Sequence, residues 1–201
     1  MEFSSTKEMV SAKFLDLIKN ETILLLTGAS GAGKTVASDL LRTIHPDNYM
    51  KIITDTSRNP RPGEKDKIDY NFRSKDEMEI RIAEGKYLEY NIYSGNYYGS
   101  SIEAIREVWD NYICIPVIVI DMNGAKAIKK RFPNSKIIFL DRDKNTLIEE
   151  IKNRDCSEEE KEKRIARLDV DIDTSRYADI IIKNIKLADT VEMINTAMLL
   201  L

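Results

Sequence analysis

The chain has 201 residues, of which 42% are hydrophobic and 32% charged, with 8 glycines and 5 prolines. That composition excludes disordered, collagen-like and low-complexity readings and suits one compact domain. Lysine plus arginine number 31 against 34 for aspartate plus glutamate, a formal net charge of −3, which argues against a general nucleic-acid binder.

Apolar residues at Met9, Val10, Phe14, Leu17 and Ile18 recur at helical spacing, predicting an amphipathic helix within residues 1–21 that packs on the core or on a second copy. Charges interrupt this segment, so no secretory leader is expected and the chain reads as cytoplasmic. Thr22 to Thr27 is a β-branched and aliphatic run ending at Gly28, and a helix from Lys34 to Ile44 follows, stopped before Pro46. Tyr49 to Thr54 reads as a second strand. Arg58 to Lys67, with Pro60, Pro62 and Gly63 among charges, reads as an ordered loop or a lid. Asp69 to Arg73 and Tyr87 to Tyr93 alternate as strands of a small sheet do, and Lys75 to Glu84 between them reads as a helix ended by Gly85.

The strongest buried-strand signal is Ile113 to Ile120, an apolar run far short of the roughly 20 residues a membrane-spanning helix needs. Lys136 to Leu140 and Asp179 to Lys183 supply further strands, and Lys144 to Asp169, dense in both charge signs, reads as a peripheral helical arm. Strands alternating with helices predict an α/β fold with a mainly parallel sheet. The two cysteines, Cys114 and Cys156, belong to no CxxC pair, and the single histidine, His45, has no partner histidine. Reduced structural thiols, a helix-capping role for His45 and no zinc site are expected. Trp109 and Phe14 read as packing residues.

Gly28-Ala29-Ser30-Gly31-Ala32-Gly33-Lys34-Thr35 fits GxxxxGK[ST], directly after a predicted strand and opening a predicted helix. Glycines let backbone N–H groups curl round a phosphate, the helix N-terminus adds a favourable dipole, Lys34 reaches terminal phosphates and Thr35 can hold Mg²⁺. Further on, Arg58 and Arg61 stand three apart in a proline-stiffened loop, a pattern that suits a dianion through forked, charge-assisted hydrogen bonds, and Tyr70 adds a hydroxyl.

Four segments in order, GASGAGKT, SRNPRPGEKDKIDYNF, GKYLEYNIYSGNYYGS and IDMNGAK, resemble the guanylate kinase family over most of the chain. The resemblance implies a P-loop NTPase-type parallel sheet flanked by helices, with an inserted small mixed β/α region that binds a nucleoside monophosphate and with a helical lid. It implies one domain: core 22–53, 104–140 and 172–201, GMP-binding region 54–103, and lid 141–171. By the same resemblance Thr54, Glu89, Ser100 and Asp121 fall where the family contacts guanine. Arg58, Arg61, Tyr70 and Tyr98 fall where it holds the acceptor phosphate, Asn184 on the adenine side, and Arg154 and Arg164 among the lid arginines. The chemistry agrees for Glu89, since a carboxylate can accept from the N1–H and exocyclic amino group of guanine, a donor edge adenine lacks.

Departures gather on the donor side. Val119 occupies the place of a first carboxylate, Asp141-Arg142-Asp143 replaces two prolines, Glu150 replaces a lid arginine and Ile185 an aspartate; Arg142 or Arg167 is available to compensate. The implied activity is Mg²⁺-dependent transfer of the γ-phosphate of ATP to GMP and dGMP, by a monomer or homodimer with no nucleic-acid or membrane partner. The alternatives are a kinase of another small phosphorylated acceptor and a non-catalytic binding module of the same shape.

Overall fold

A computed structural model describes residues 12–93 and 95–200. Helix α1 covers residues 12–19, and the part of the expected N-terminal helix before it, with Met9 and Val10, lies outside the described residues. Five strands form a parallel sheet: β1 (Leu24–Thr27), β2 (Tyr49–Lys51), β7 (Ile115–Val119), β8 (Lys136–Asp141) and β9 (Ile180–Lys183), in the order β2-β7-β1-β8-β9.

Strand periodicity divides the core. Leu24 and Leu26 of β1, Val117 of β7, and Ile138 and Leu140 of β8 face one side. There they meet Leu41 of α2 (Lys34–Ile44) and Val191, Ile194 and Met198 of α9 (Leu187–Leu200). Ile23 and Leu25, Ile118, and Ile137 and Phe139 face the other side, against Ile105 of α4 (Ile102–Glu107) and Met122, Ala125 and Ile128 of α5 (Met122–Arg131). A sheet covered on both faces must be apolar in both phases, which is why these strands read as continuous runs. α1 closes the first face through Phe14 and Leu17, both buried, with Phe14 edge-on to Tyr49 at 5.5 Å between ring centroids.

The insertion forms a second sheet in the order β4-β3-β6-β5, built from β3 (Asp55–Thr56), β4 (Asn71–Phe72), β5 (Tyr87–Tyr93) and β6 (Asn96–Ser101). Helix α3 (Lys75–Ala83) lies between β4 and β5 in sequence, capped by Ser74, whose hydroxyl accepts from Glu77 N–H. Asp55, fully buried, ties this unit together. Its carboxylate accepts from Arg73 Nε at 2.5 Å, Tyr87 hydroxyl at 2.6 Å and Asn71 Nδ2 at 2.8 Å, with Arg81 Nε 3.5 Å away. A buried carboxylate is tolerated only with such partners.

Three expectations change. The strand expected over Tyr49 to Thr54 stops at Lys51, because after one more bond, Ile52 N to Val117 O, the chain turns away into the insertion. The run from Ile113 forms a strand only from Ile115, since Ile113 takes a left-handed φ of 52° after a wide turn over Val108–Tyr112 and is exposed. The charged arm is three helices, α6 (Lys144–Lys152), α7 (Glu158–Ala166) and α8 (Leu168–Asp173). It is less peripheral than its charge suggests, with Leu147, Ile151 and Leu168 buried in the core and only α7 burying nothing.

The capping role of His45 and the packing role of Trp109 are borne out. His45 caps α2 through its backbone, with Nε2 3.2 Å from Glu192, and Trp109 packs on Phe132. Cys114 is buried and both cysteines are free.

Candidate functional site

The loop between β1 and α2 opens at the C-terminal edge of the parallel sheet, where open α/β sheets place their ligand crevice. Gly33, the cap residue of α2, has φ 85° and makes no side-chain cap bond, so the first-turn N–H groups of α2 keep their donor capacity. A Cβ at Gly33 would lie 2.5 Å from Asn184 Nδ2, so only glycine lets that amide approach. Asn184 donates to Ala32 O at 2.8 Å and accepts from Thr190 hydroxyl at 2.9 Å. Its amide therefore braces the loop against the β9–α9 connection while it lines the crevice.

Lys34 folds back over the loop, its Nζ donating to Gly28 O at 2.8 Å and Ala29 O at 2.9 Å. Burial and the neighbouring Arg154 and Arg164 push this ammonium down to about 8, with Asp171 and Asp121 opposing. Thr35 is exposed at the crevice beside it. The crevice, about 790 Å³, is lined by the loop, Asp121 and Asn91, the arginines 142, 154, 164 and 167, and Asn184. Burial, Arg164 and Arg61 lower Arg154. Cations from the phosphate loop and the arm thus repel one another across one opening, with Arg61 of the insertion adding to the repulsion on Arg154, an arrangement suited to a polyanion.

Asp121, at the end of β7, caps α5: one carboxylate oxygen accepts from Gly124 N–H at 2.9 Å and the other from Asn91 Nδ2 at 3.0 Å. Beyond it Glu89 accepts from Ser100 hydroxyl at 2.8 Å. Burial, with Asp121 adding repulsion, pushes the Glu89 carboxyl up to about 6. A Cβ on Gly124 would lie 3.1 Å from Glu89 Oε2, so α5 presents bare backbone to this carboxylate. Thr54, half-buried, leads into β3 and accepts from Asn71 N–H through its carbonyl.

Arg58 is held as a fork on Glu64, with bonds of 2.6 and 2.7 Å, and lies 4.9 Å from the centroid of the Tyr70 ring. Glu64 also accepts from Arg61 N–H at 2.8 Å. Tyr70 and Tyr98 meet edge to face at 6.2 Å, and burial raises the Tyr70 phenol.

The expected residues therefore fall into two groups. Gly28, Ser30, Gly31, Gly33, Lys34 and Thr35 share the crevice with Arg154, Arg164, Asn184 and Asp121, while Ala29 and Ala32 are buried. Arg58, Tyr70 and Tyr98 form an aromatic and cationic cluster on the insertion, with Arg61 reaching Arg154 electrostatically and Glu89–Ser100 reaching Asp121.

Sequence reasoning missed three residues. Glu64 locks Arg58; Asn91, two along from Glu89 and so on the same strand face, holds Asp121; Asp171 faces Lys34 from the arm. Strand period was a usable signal for Asn91, whereas nothing local marked Asp171 among the acidic residues of the arm.

Hard oxygen donors are available for a divalent cation in the Thr35 hydroxyl and the Asp121 carboxylate. No cluster of three metal-ligating side chains occurs among the described residues. One or two protein oxygens completed by phosphate and water fit Mg²⁺ rather than a protein-caged metal.

A parallel α/β sheet with this loop and an opposing wall of arginines defines a P-loop nucleotide-binding protein of the phosphoryl-transfer type. The guanylate kinase family model matches residues 20–199. A guanylate kinase of Prochlorococcus marinus subsp. pastoris is 34% identical over 173 residues, 85% of this chain and 92% of the relative. One from Prochlorococcus marinus strain MIT 9312 is 33% identical, covering 88% and 97%. The crystal structure of guanylate kinase from Anaplasma phagocytophilum superposes with a TM-score of 0.69 at 22% identity, covering 88% of this chain and 83% of that one. The chain belongs to the guanylate kinase family. No helix among the described residues is long and apolar enough to cross a membrane.

Proposed function

We propose that the protein transfers the γ-phosphoryl group of ATP to GMP, and to dGMP, releasing ADP and GDP. One observation carries this reading: Asp121 lines the crevice of the phosphate loop and acts electrostatically on both Lys34 and the Glu89 of the Glu89–Ser100 pair, so a base reader stands beside the phosphate cradle. The family assignment supports the reaction class.

Residues 28–35 hold the donor phosphates through backbone N–H groups and Lys34, which trades its carbonyl contacts for phosphate oxygens. The Thr35 hydroxyl and the Asp121 carboxylate would hold Mg²⁺, which would supply neutralisation of the phosphate charge. Glu89 accepts from guanine N1–H and the exocyclic amine, Ser100 and Thr54 complete the base edge, and Arg58, Arg61, Tyr70 and Tyr98 hold the acceptor phosphate. An acceptor phosphate oxygen attacks the γ-phosphorus as the bond to the β–γ bridging oxygen breaks, and ADP leaves with that electron pair. Arg154 and Arg164 stabilise the charge spread over the transferring group. Catalysis is positioning and electrostatics, with no covalent enzyme intermediate.

Water must be excluded during transfer. We place the closing movement chiefly in the segment between the buried anchors Ile151 and Leu168, which carries both Arg154 and Arg164 on and beside the unburied helix α7. The test is a coupled ADP-release assay with ATP and Mg²⁺ against GMP, dGMP, AMP, CMP and UMP and a no-acceptor control. Turnover restricted to GMP and dGMP is expected. Silence with every acceptor, alongside calorimetric GMP binding, would refute catalysis and leave a binding module.

A further inference from the structure

Resting on that reading, we propose that Arg142 is a ligand of the donor polyphosphate, presented from the end of β8, and that Glu150 holds it in reserve when no nucleotide is bound. Glu150 stands where the resemblance led one to expect an arm arginine, so the arm brings one cation fewer to the crevice. It brings a glutamate instead, and α6 packs that residue's stem directly against the phosphate loop, with its side chain lining the crevice: a Cβ on Gly31 would lie 3.1 Å from Glu150 Cβ and 3.2 Å from Leu147 O. A naked carboxylate beside a site for a triphosphate would repel the ligand.

Arg142 masks that charge. One terminal nitrogen of its guanidinium donates to Glu150 Oε1 at 3.1 Å and to Gly31 O, in the phosphate loop itself, at 3.3 Å. The side chain is 28% exposed and lines the same crevice as Lys34, Arg154 and Arg164. Both bonds use the same nitrogen, and a guanidinium carries five N–H donors in a fork that matches phosphate oxygens. The fork is thus anchored against the loop with donors to spare. Arg142 directly follows β8, so its backbone is tied to the end of the sheet and lies outside the segment between Ile151 and Leu168 to which the closing movement is assigned.

An ion pair that merely latches α6 to the loop loses the same interaction whichever partner is neutralised. A phosphate ligand with a reserve partner does not. Arg142→Gln and Glu150→Gln separate the two roles through calorimetric titration of each protein with MgATP in the absence of acceptor, checked by thermal unfolding.

The expected result is at least about 10-fold weaker ATP binding for Arg142→Gln, the loss of a charge-assisted hydrogen bond, with ATP binding unchanged or tighter for Glu150→Gln. Arg142→Lys, which keeps the charge without the fork, should fall between and serves if the glutamine variant folds poorly. In steady-state assays the KM for ATP should rise while the KM for GMP stays put. Equal losses from both glutamine variants, or ATP binding by Arg142→Gln within about 2-fold of the parent, would overturn the proposal. A parent protein that binds ATP yet phosphorylates no nucleoside monophosphate would refute the kinase reading, while the asymmetry between the two variants would still judge Arg142.

Discussion

Replacing Glu89 by glutamine should make the protein more stable and less active, and the two effects have separate causes. In the free protein burial and Asp121 push the Glu89 carboxyl up to about 6 from an ordinary 4.5. Keeping it ionised above pH 6 therefore costs the folded state about 2 kcal/mol, at 1.36 kcal/mol per pKa unit. The sign follows from the raised value: protonation favours the folded chain, fully so below about pH 4.5, and the advantage is lost as pH rises through 6. Glutamine carries no charge and its amide oxygen can still accept from Ser100, so the variant should match the parent near pH 4 and exceed it by up to about 2 kcal/mol at pH 8.

Guanine recognition should suffer. A carboxylate accepts from both N1–H and the exocyclic amine, whereas glutamine can offer one acceptor and turns an N–H donor toward a donor. Losing one charge-assisted bond and leaving a buried donor unpaired costs about 3 kcal/mol, or on the order of 100-fold in kcat/KM for GMP. Urea unfolding from pH 4 to 8 and steady-state kinetics over the same range read both effects. The KM of the parent for GMP should rise as pH falls through about 6, and that limb should vanish in the variant. A variant less stable than the parent at pH 8, or one retaining GMP turnover within about 3-fold, would refute the reasoning.

Lys34, held down to about 8, should regain a full charge when phosphate oxygens replace its carbonyl partners. MgATP binding near pH 8.5 should then take up protons, seen as a dependence of the calorimetric heat on buffer ionisation enthalpy, with weaker affinity at higher pH. Lys34→Ala should cut kcat by roughly 100-fold or more with little change in unfolding temperature, as expected for a donor aimed at developing charge. Asp55→Ala strands Arg73 and Arg81 around a vacated buried site and should cost about 3 to 5 kcal/mol by urea denaturation. Asn184→Ala removes the bonds to Ala32 and Thr190, and should weaken ATP affinity more than GMP affinity in calorimetry.

Much of the molecule was legible in order along the chain. The phosphate loop declares itself because a backbone cradle needs glycine at fixed spacings between a strand and a helix. The three central strands declare themselves because a doubly covered sheet leaves no polar phase in Leu24–Thr27, Ile115–Val119 or Lys136–Asp141. The short strands Asp55–Thr56 and Asn71–Phe72 were not separable, since two residues carry no period and exist as strands only through their neighbours in the sheet.

Local sequence named Arg58, and the family resemblance named Glu89, Asp121 and Asn184, as polar residues worth watching. Tertiary structure decided what each one touches: Glu64 on Arg58, Ser100 on Glu89, Asn91 on Asp121, and Ala32 with Thr190 on Asn184. It also turned the charged arm from a surface helix into two anchored helices flanking an unburied one, because Leu147, Ile151 and Leu168 find the core only when the chain is folded. Backbone requirements are written in residue type and spacing. The charge and partners of a buried side chain depend on segments far apart in sequence, such as Gly31, Arg142 and Glu150, which meet only at the end of the sheet.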